Sequence, residues 1–321
     1  MSGGTEFQVR VTAAETVADS IKHFRFERTD GEDLPAFSAG SHIVVSMQDD
    51  KRRIRNPYSL MGSLNDHKGY EISVLRTVDS RGGSAFMHER VKVGDILTVA
   101  GPVNLFPIDT RARKHILFAG GIGITPFIAM IEQLNRLHAT FELHYAMRAP
   151  ERGAYVNRLS VNNAAGSTRI YYDSAGQRID LDGILTNQPL GTHLYVCGPG
   201  GMIDGILGAA RAAGWPKENL HSERFLAPPP GQPFIARLQR SGKVIEVGEH
   251  ESLLEAIEAA GVDASFLCRG GACGQCETGV ISCDGELVHN DHYLTADEKA
   301  SGKKIMICVS RSKGRELVLD L

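Results

Sequence analysis

Cys268, Cys273 and Cys276 fall within one short stretch, "CRGGACGQC", and Cys308 follows in "IMICVS". The spacing Cys-x4-Cys-x2-Cys with a distant fourth thiol is that of a plant-type [2Fe-2S] site. Two irons bridged by sulfide need four thiolates, here three from a wrapped loop and one from an expected strand. Glycines 270, 271 and 274 would let the backbone approach, so that amide N–H groups point at the cluster sulfurs. Structural zinc normally pairs two Cys-x2-Cys knuckles, and this segment has one, while a disulfide set is the remaining alternative. Cys283 stands outside the quartet as a small structural residue.

A second set of residues suits phosphorylated ligands. In "GGIGITP" (120–126) a strand turns into a helix: Gly120, Gly121 and Gly123 would admit a pyrophosphate, Thr125 would cap the helix, and Pro126 suits its first turn. The third glycine of the G-x-G-x-x-G pattern is missing, so for this motif alone a plain strand-to-helix turn stays open. "CGPGG" (197–201) places Cys197, Gly198 and Pro199 in a second glycine turn after a later strand, and the two together favour a nicotinamide nucleotide. Nearer the N-terminus, "RNPYSL" (55–60) offers a cation, a ring and a hydroxyl. "SRGGSAFMHE" (80–89) offers a glycine loop entering a helix with Ser84 at its cap, a seat for one phosphate. Alone, each is more often a solvated loop. A flavin would join the parts, because nicotinamide delivers two electrons at once and a [2Fe-2S] cluster takes one.

The elements that must position these residues fall into three patterns. Up to about residue 108 the chain reads as short strands between Gly, Asp and Pro breaks, a small antiparallel β-barrel. From about residue 112, "HILFAG", "PFIAMIEQLNRLH" and "FELHYAM" alternate strand and helix, followed by "TRIYYD" and "HLYVCG", which predicts a parallel sheet. "APPPGQP" (227–233) reads as a semi-rigid linker, and a strand pair then leads into the helix "SLLEAIEAAG", with Ser252 at its N-cap and Gly261 past its end. At 321 residues the length itself predicts two or three domains, and a formal charge of −3 with no basic stripe excludes a nucleic-acid or anionic-membrane surface. No signal core or membrane span is read, so a cytoplasmic location is expected.

Together, "RNPYSL", "SRGGS", "GGIGITP", "VCGP", "HSERF" (221–225), "CRGGACGQC" and the ending "IMICVSRSKGRELVLDL" resemble the phthalate dioxygenase reductase and vanillate demethylase reductase family, carnitine monooxygenase reductases included, over the whole chain. The resemblance implies an FMN-binding barrel (1–108) and a doubly wound NAD(P)H-binding domain of the ferredoxin reductase type (109–227). A linker (228–233) and a β-grasp plant-type ferredoxin domain (234–321) complete it. It implies a reductase that takes hydride from NADH and hands single electrons, through FMN and the cluster, to a Rieske-type oxygenase.

By the same resemblance, Arg55, Asn56, Tyr58 and Ser59 line the FMN, with Ser59 at its reactive edge, and Arg81, Gly82, Gly83 and Ser84 hold its phosphate. Thr125, Cys197 and Phe225 surround the nicotinamide, Phe225 stacking near the flavin and Glu223 as a polar partner. The wider superfamily writes Arg-x-Tyr-Ser, whereas here the arginine, Arg55, lies one position earlier. Arg148 stands where a 2′-phosphate would bind and Asp173 follows the next strand; the family uses NADH, so NADH is the expected donor. A reductase for a haem monooxygenase, a flavin or ferric reductase, and a redox-sensing iron–sulfur module are the alternatives.

Overall fold

The computed structural model describes residues 5–48, 53–78, 81–161, 166–226 and 230–321; the expectations for Ser80 and for 227–229 of the proline segment lie outside them. β1 (Glu6–Ala18) buries Phe7, Val9 and Val11 and exposes the residues between, the period of a half-buried strand. It is followed by β2 (Ile21–Arg28), β3 (Ser41–Gln48), β4 (Arg53–Ser59), β5 (Tyr70–Leu75), α1 (Gly83–Glu89) and β6 (Ile96–Asn104). These strands form an antiparallel six-stranded sheet in the order β4-β3-β6-β1-β2-β5, and the outer strands β4 and β5 lie against each other as in a barrel. Ser84 does not cap α1: left-handed Gly82, at φ 100°, occupies the cap position, and Ser84 lies inside the helix, where its Oγ accepts from Thr77 N at 3.2 Å.

The second unit comprises β7 (Lys114–Gly120), α2 (Thr125–Arg136), β8 (Phe141–Met147), α3 (Val156–Val161), β9 (Gly166–Tyr172), α4 (Leu181–Thr186), β10 (Thr192–Cys197), α5 (Gly200–Ala212) and β11 (Leu220–Glu223). β7 and β10 are almost continuously buried, as strands covered on both faces must be. All five strands are parallel in the order β11-β10-β7-β8-β9, so the order reverses between β7 and β10 and brings "GGIGITP" and "CGPGG" to one switch point. Pro126 does sit in the first turn of α2, but Thr125 is not its cap. A 3₁₀ turn at Gly121–Ile124 already begins the coil, and the Thr125 hydroxyl donates back to the Ile122 carbonyl at 3.1 Å.

The third unit comprises β12 (Phe234–Leu238), β13 (Lys243–Val247), α6 (Leu253–Ala259), β14 (Glu277–Cys283), β15 (Leu287–Val288), α7 (Ala296–Ser301), β16 (Lys304–Met306), β17 (Arg311–Ser312) and β18 (Glu316–Leu319). Its five-stranded sheet, β13-β12-β18-β14-β16, pairs β12 parallel to β18 and packs Leu253, Leu254 and Ile257 of α6 onto one face, a β-grasp. Ser252 and Glu255 form a full capping box at the start of α6, and Gly261, at φ +69°, follows its end as expected. Cys308 is not on a strand: β16 ends at Met306, and the turn that follows, with Val309 N and Ser310 N on the Met306 carbonyl, carries the thiol inward.

The first two units share one core: Met61 and Phe106 pack with Phe127 and Met130 of α2. The third unit has its own core. The buried Arg311 guanidinium holds the carbonyls of Gly231, Gln232, Gly248 and Glu251, tying the end of the proline segment to this unit.

Candidate functional site

A cavity of about 960 Å³ opens where the three units meet. On the barrel side Asn56, Tyr58 and Ser59 of β4 line it, with Arg81, Gly83 and Ser84 from the entry to α1. The Tyr58 hydroxyl, deprived of water, is pushed up to about 12 and accepts from Asn56 Nδ2 at 3.4 Å. Gly83 is pressed on the same side chain, because a Cβ there would fall 2.2 Å from Asn56 Nδ2. Arg55, expected at the flavin, is not among the residues lining the cavity; it turns to the third unit, where its Nη1 meets Glu258 Oε2 at 2.5 Å. Burial depresses its guanidinium and Glu258 opposes that shift. Arg81 does line the cavity but also gives Nη1 to Glu255 Oε2 at 2.8 Å.

One lining residue has no counterpart in the sequence reading. His42 is the register partner of Ser59, and its Nε2 is buried without a hydrogen-bond partner. Burial lowers the ring to about 4, so it stands neutral. An orphaned imidazole nitrogen in the wall of a large cavity fits a planar ligand with a polar edge, such as a flavin. A histidine within the otherwise apolar run "HIVV" was the available signal.

Ser59 Oγ donates to Glu223 Oε2 at 3.3 Å, although the two residues belong to different units. The Glu223 carboxyl is sunk in the interior, although the residue as a whole is only partly covered, and burial lifts it to about 8 against the Ser59 hydrogen bond. Cys197, the register partner of Glu223, is wholly buried behind this layer, its thiol pushed up by burial and then by Glu223. At neutral pH the carboxyl keeps its proton and the thiol stays neutral. Thr125 and Phe225 also line the cavity, Thr125 buried and Phe225 44% exposed, so four of the five residues expected around the hydride path border it and Cys197 supports from behind.

At the switch point Gly120, Gly121, Gly198 and Pro199 line the cavity, while Gly123 and Pro126 do not. A Cβ on Gly123 would fall 2.2 Å from the Cys197 carbonyl oxygen, and one on Gly198 would fall 2.9 Å from Gly120 Cα. These glycines let the two loops touch each other; Gly121, at φ +53°, and Gly201 stand in open space and are left to face a ligand. At the far end Arg148 is exposed, and Asp173 pairs with Arg178 at 2.7 Å on the surface. Both line the cavity, so an acid and a cation flank the place expected for the second ribose.

The four predicted ligand thiols come in two pairs. Cys276 Sγ and Cys308 Sγ lie 3.2 Å apart, and Cys268 is hydrogen-bonded to Cys273. Two pairs suit a two-iron cluster, one pair for each iron. Cys268 is made more acidic than a free thiol, first by Cys273 and then by backbone N–H groups of Ala272, Gly270 and Cys273 that oppose its burial, the donors a thiolate ligand needs. Gly270 N lies 3.3 Å from its sulfur. Cys268, Gly270 and Ala272 line the same cavity as Tyr58 and Ser59, and a Cβ on Gly270 would lie 4.0 Å from Pro57 Cγ. The cluster loop therefore rests on the strand expected to hold the flavin. Cys283, outside the quartet, contacts Ser312 Oγ at 3.3 Å.

The comparisons with known proteins agree with this division. Residues 8–107 match the model of an oxidoreductase FAD-binding domain and 236–313 that of a 2Fe-2S iron–sulfur cluster binding domain. Residues 102–220 match that of the dimethylamine monooxygenase subunit DmmA-like N-terminal domain. The chain is 45% identical to the heme-dependent oxidative N-demethylase beta subunit of Ectopseudomonas mendocina, covering 99% of each. It is 43% identical to a carnitine monooxygenase reductase subunit of Acinetobacter baumannii, covering 98% of each. Among solved structures, phthalate dioxygenase reductase superimposes with a TM-score of 0.89 at 34% identity over 98% of both chains.

Proposed function

Because the chain belongs to the family of flavin and iron–sulfur oxygenase reductases that includes phthalate dioxygenase reductase and the carnitine monooxygenase reductase subunits, we propose that it takes NADH as donor, FMN as flavin and a Rieske-type oxygenase as acceptor, in the cytoplasm. Among the described residues no helix is long and apolar enough to cross a membrane. The observation that carries the reading is the single cavity bordered by Ser59, Thr125 and Cys268. It gives hydride donor, flavin and cluster one shared space.

When bound, the flavin converts a two-electron donor into single electrons and the cluster relays them one at a time. The chain's residues then have separable tasks. Tyr58 and Asn56 orient the flavin, His42 offers a neutral ring beside it, and Arg81 attracts its phosphate. Glu255 of α6, which pairs with Arg81, would close the end of the site at which that phosphate is held. Phe225 and Thr125 would border the nicotinamide, and Ser59 with the buried Glu223 carboxyl would hold a proton beside it. Arg148 and Asp173 both border the place expected for the second ribose, so NADH as donor rests on the family resemblance. A plant-type cluster at about −400 mV lies below the Rieske range, which begins near −150 mV, so transfer to the acceptor runs downhill.

A haem oxygenase is the second reading, favoured by the 45% identity to the heme-dependent N-demethylase subunit. Reconstitution separates the two. With NADH and this protein as sole electron source, a Rieske-type oxygenase is expected to turn over and a haem oxygenase is not. Turnover of the haem enzyme alone would replace the first reading by the second, and turnover of neither would overturn both.

A further inference from the structure

Three side chains, one from the barrel and two from the third unit, meet where these units touch. Arg55 comes from β4, Glu258 from α6, and Arg269 from the cluster loop itself, between Cys268 and Gly270. Glu258 Oε2 takes Arg55 Nη1 at 2.5 Å and Glu258 Oε1 takes Arg269 Nη2. The side chains are only 14%, 18% and 5% exposed for Arg55, Glu258 and Arg269, so solvent screens the charges weakly. Arg269 is fixed a second time, its guanidinium 4.0 Å from the Phe266 ring centroid. Its backbone is in the left-handed region, φ +51°, a conformation that makes this side chain part of the loop's shape. One helical turn earlier on α6, Glu255 takes Arg81 and the backbone N–H of Arg55. Where the first two units are joined by a shared apolar core, this contact is joined by charge.

We propose that Glu258 is the positioning residue that sets the docking of the cluster loop on the flavin strand, its carboxylate clamped between one guanidinium from each. The inference rests on the reading that this cavity holds the flavin and that "CRGGACGQC" holds the cluster. Without the carboxylate, two poorly solvated guanidinium groups face each other with their shared anion gone, which drives the two surfaces apart.

The test uses full-length holoprotein carrying Glu258→Gln, with flavin and cluster content checked by absorbance, mixed anaerobically with NADH. Flavin reduction is expected at the wild-type rate, while the following reduction of the cluster slows roughly ten-fold or more, as a displaced reacting pair does. Glu258→Asp, which keeps the charge, should restore most of that rate. The paramagnetic signature of the reduced cluster should not change. In the oxidised protein, without NADH, backbone amides of 53–59 and 268–274 should exchange hydrogen faster. Wild-type cluster reduction and exchange in Glu258→Gln would overturn the proposal, as would equal slowing of both phases, which marks damage to the flavin site. Failure of the wild-type cluster to reduce at all would count against the functional reading instead.

Discussion

Glu223 is a carboxyl whose environment is far from that of a solvated acid. Burial raises its carboxyl from 4.5 to about 8, so the folded chain holds a proton that the unfolded chain releases above 4.5. The stability from this group is complete below 4.5 and is lost as pH rises through about 8. Glu223→Gln should therefore match the wild type in stability near pH 4 and exceed it near pH 9 by roughly 2 kcal/mol or more, read by denaturant unfolding at both values. In stopped flow, flavin reduction by NADH should fall as pH rises through about 8 in the wild type, and the variant should lack that limb. Residue types were readable from sequence here, and environments were not. "HSERF" marked Glu223 by resemblance, but nothing local says that its carboxyl meets Ser59, 164 positions earlier. The partner of Arg55 was hidden for the same reason: its carboxylate lies 203 positions away.

At the scale of elements, the cluster loop separates glycines that the chain needs from one that it tolerates losing. A Cβ on Gly274 would fall 2.3 Å from the Tyr293 ring at φ +78°, whereas one on Gly270 meets nothing closer than 3.6 Å. Gly274→Ala should cost about 2–3 kcal/mol and lower cluster content, measured by iron assay and thermal unfolding. Gly270→Ala should keep the cluster. The α6 cap is a second test: Ser252→Ala removes the hydroxyl that holds Glu255 at 2.8 Å and should cost about 1 kcal/mol in denaturant unfolding. That cap was legible because "SLLE" carries both halves of the box within four residues. The caps assigned to Ser84 and Thr125 failed where a glycine turn or a 3₁₀ turn starts the coil earlier, a choice that side-chain type does not reveal.

For the molecule as a whole, the strand and helix periods disclosed three units, and the cysteine spacing disclosed the cluster, because both are written locally. How the units meet was not legible, since it depends on pairs such as Arg55 with Glu258 and on the core shared by Phe106 and Phe127. The same meeting has an acid limit. His42 at the cavity and His221 in the second unit are each lowered from 6.5 to about 4, mainly by burial, so the stability they give is complete above 6.5 and is lost as pH falls towards 4. Thermal unfolding should show a falling midpoint across that window, and His42→Asn should flatten its share, on the order of 2 kcal/mol. The central claim is that electrons enter the cavity as hydride and leave singly through Cys268, Cys273, Cys276 and Cys308. Anaerobic titration of the holoprotein with NADH tests it most directly. Flavin and cluster absorbance should both bleach, with about 1.5 equivalents of NADH consumed per protein, two electrons for the flavin and one for the cluster. A flavin that bleaches while the cluster spectrum stays oxidised would contradict it.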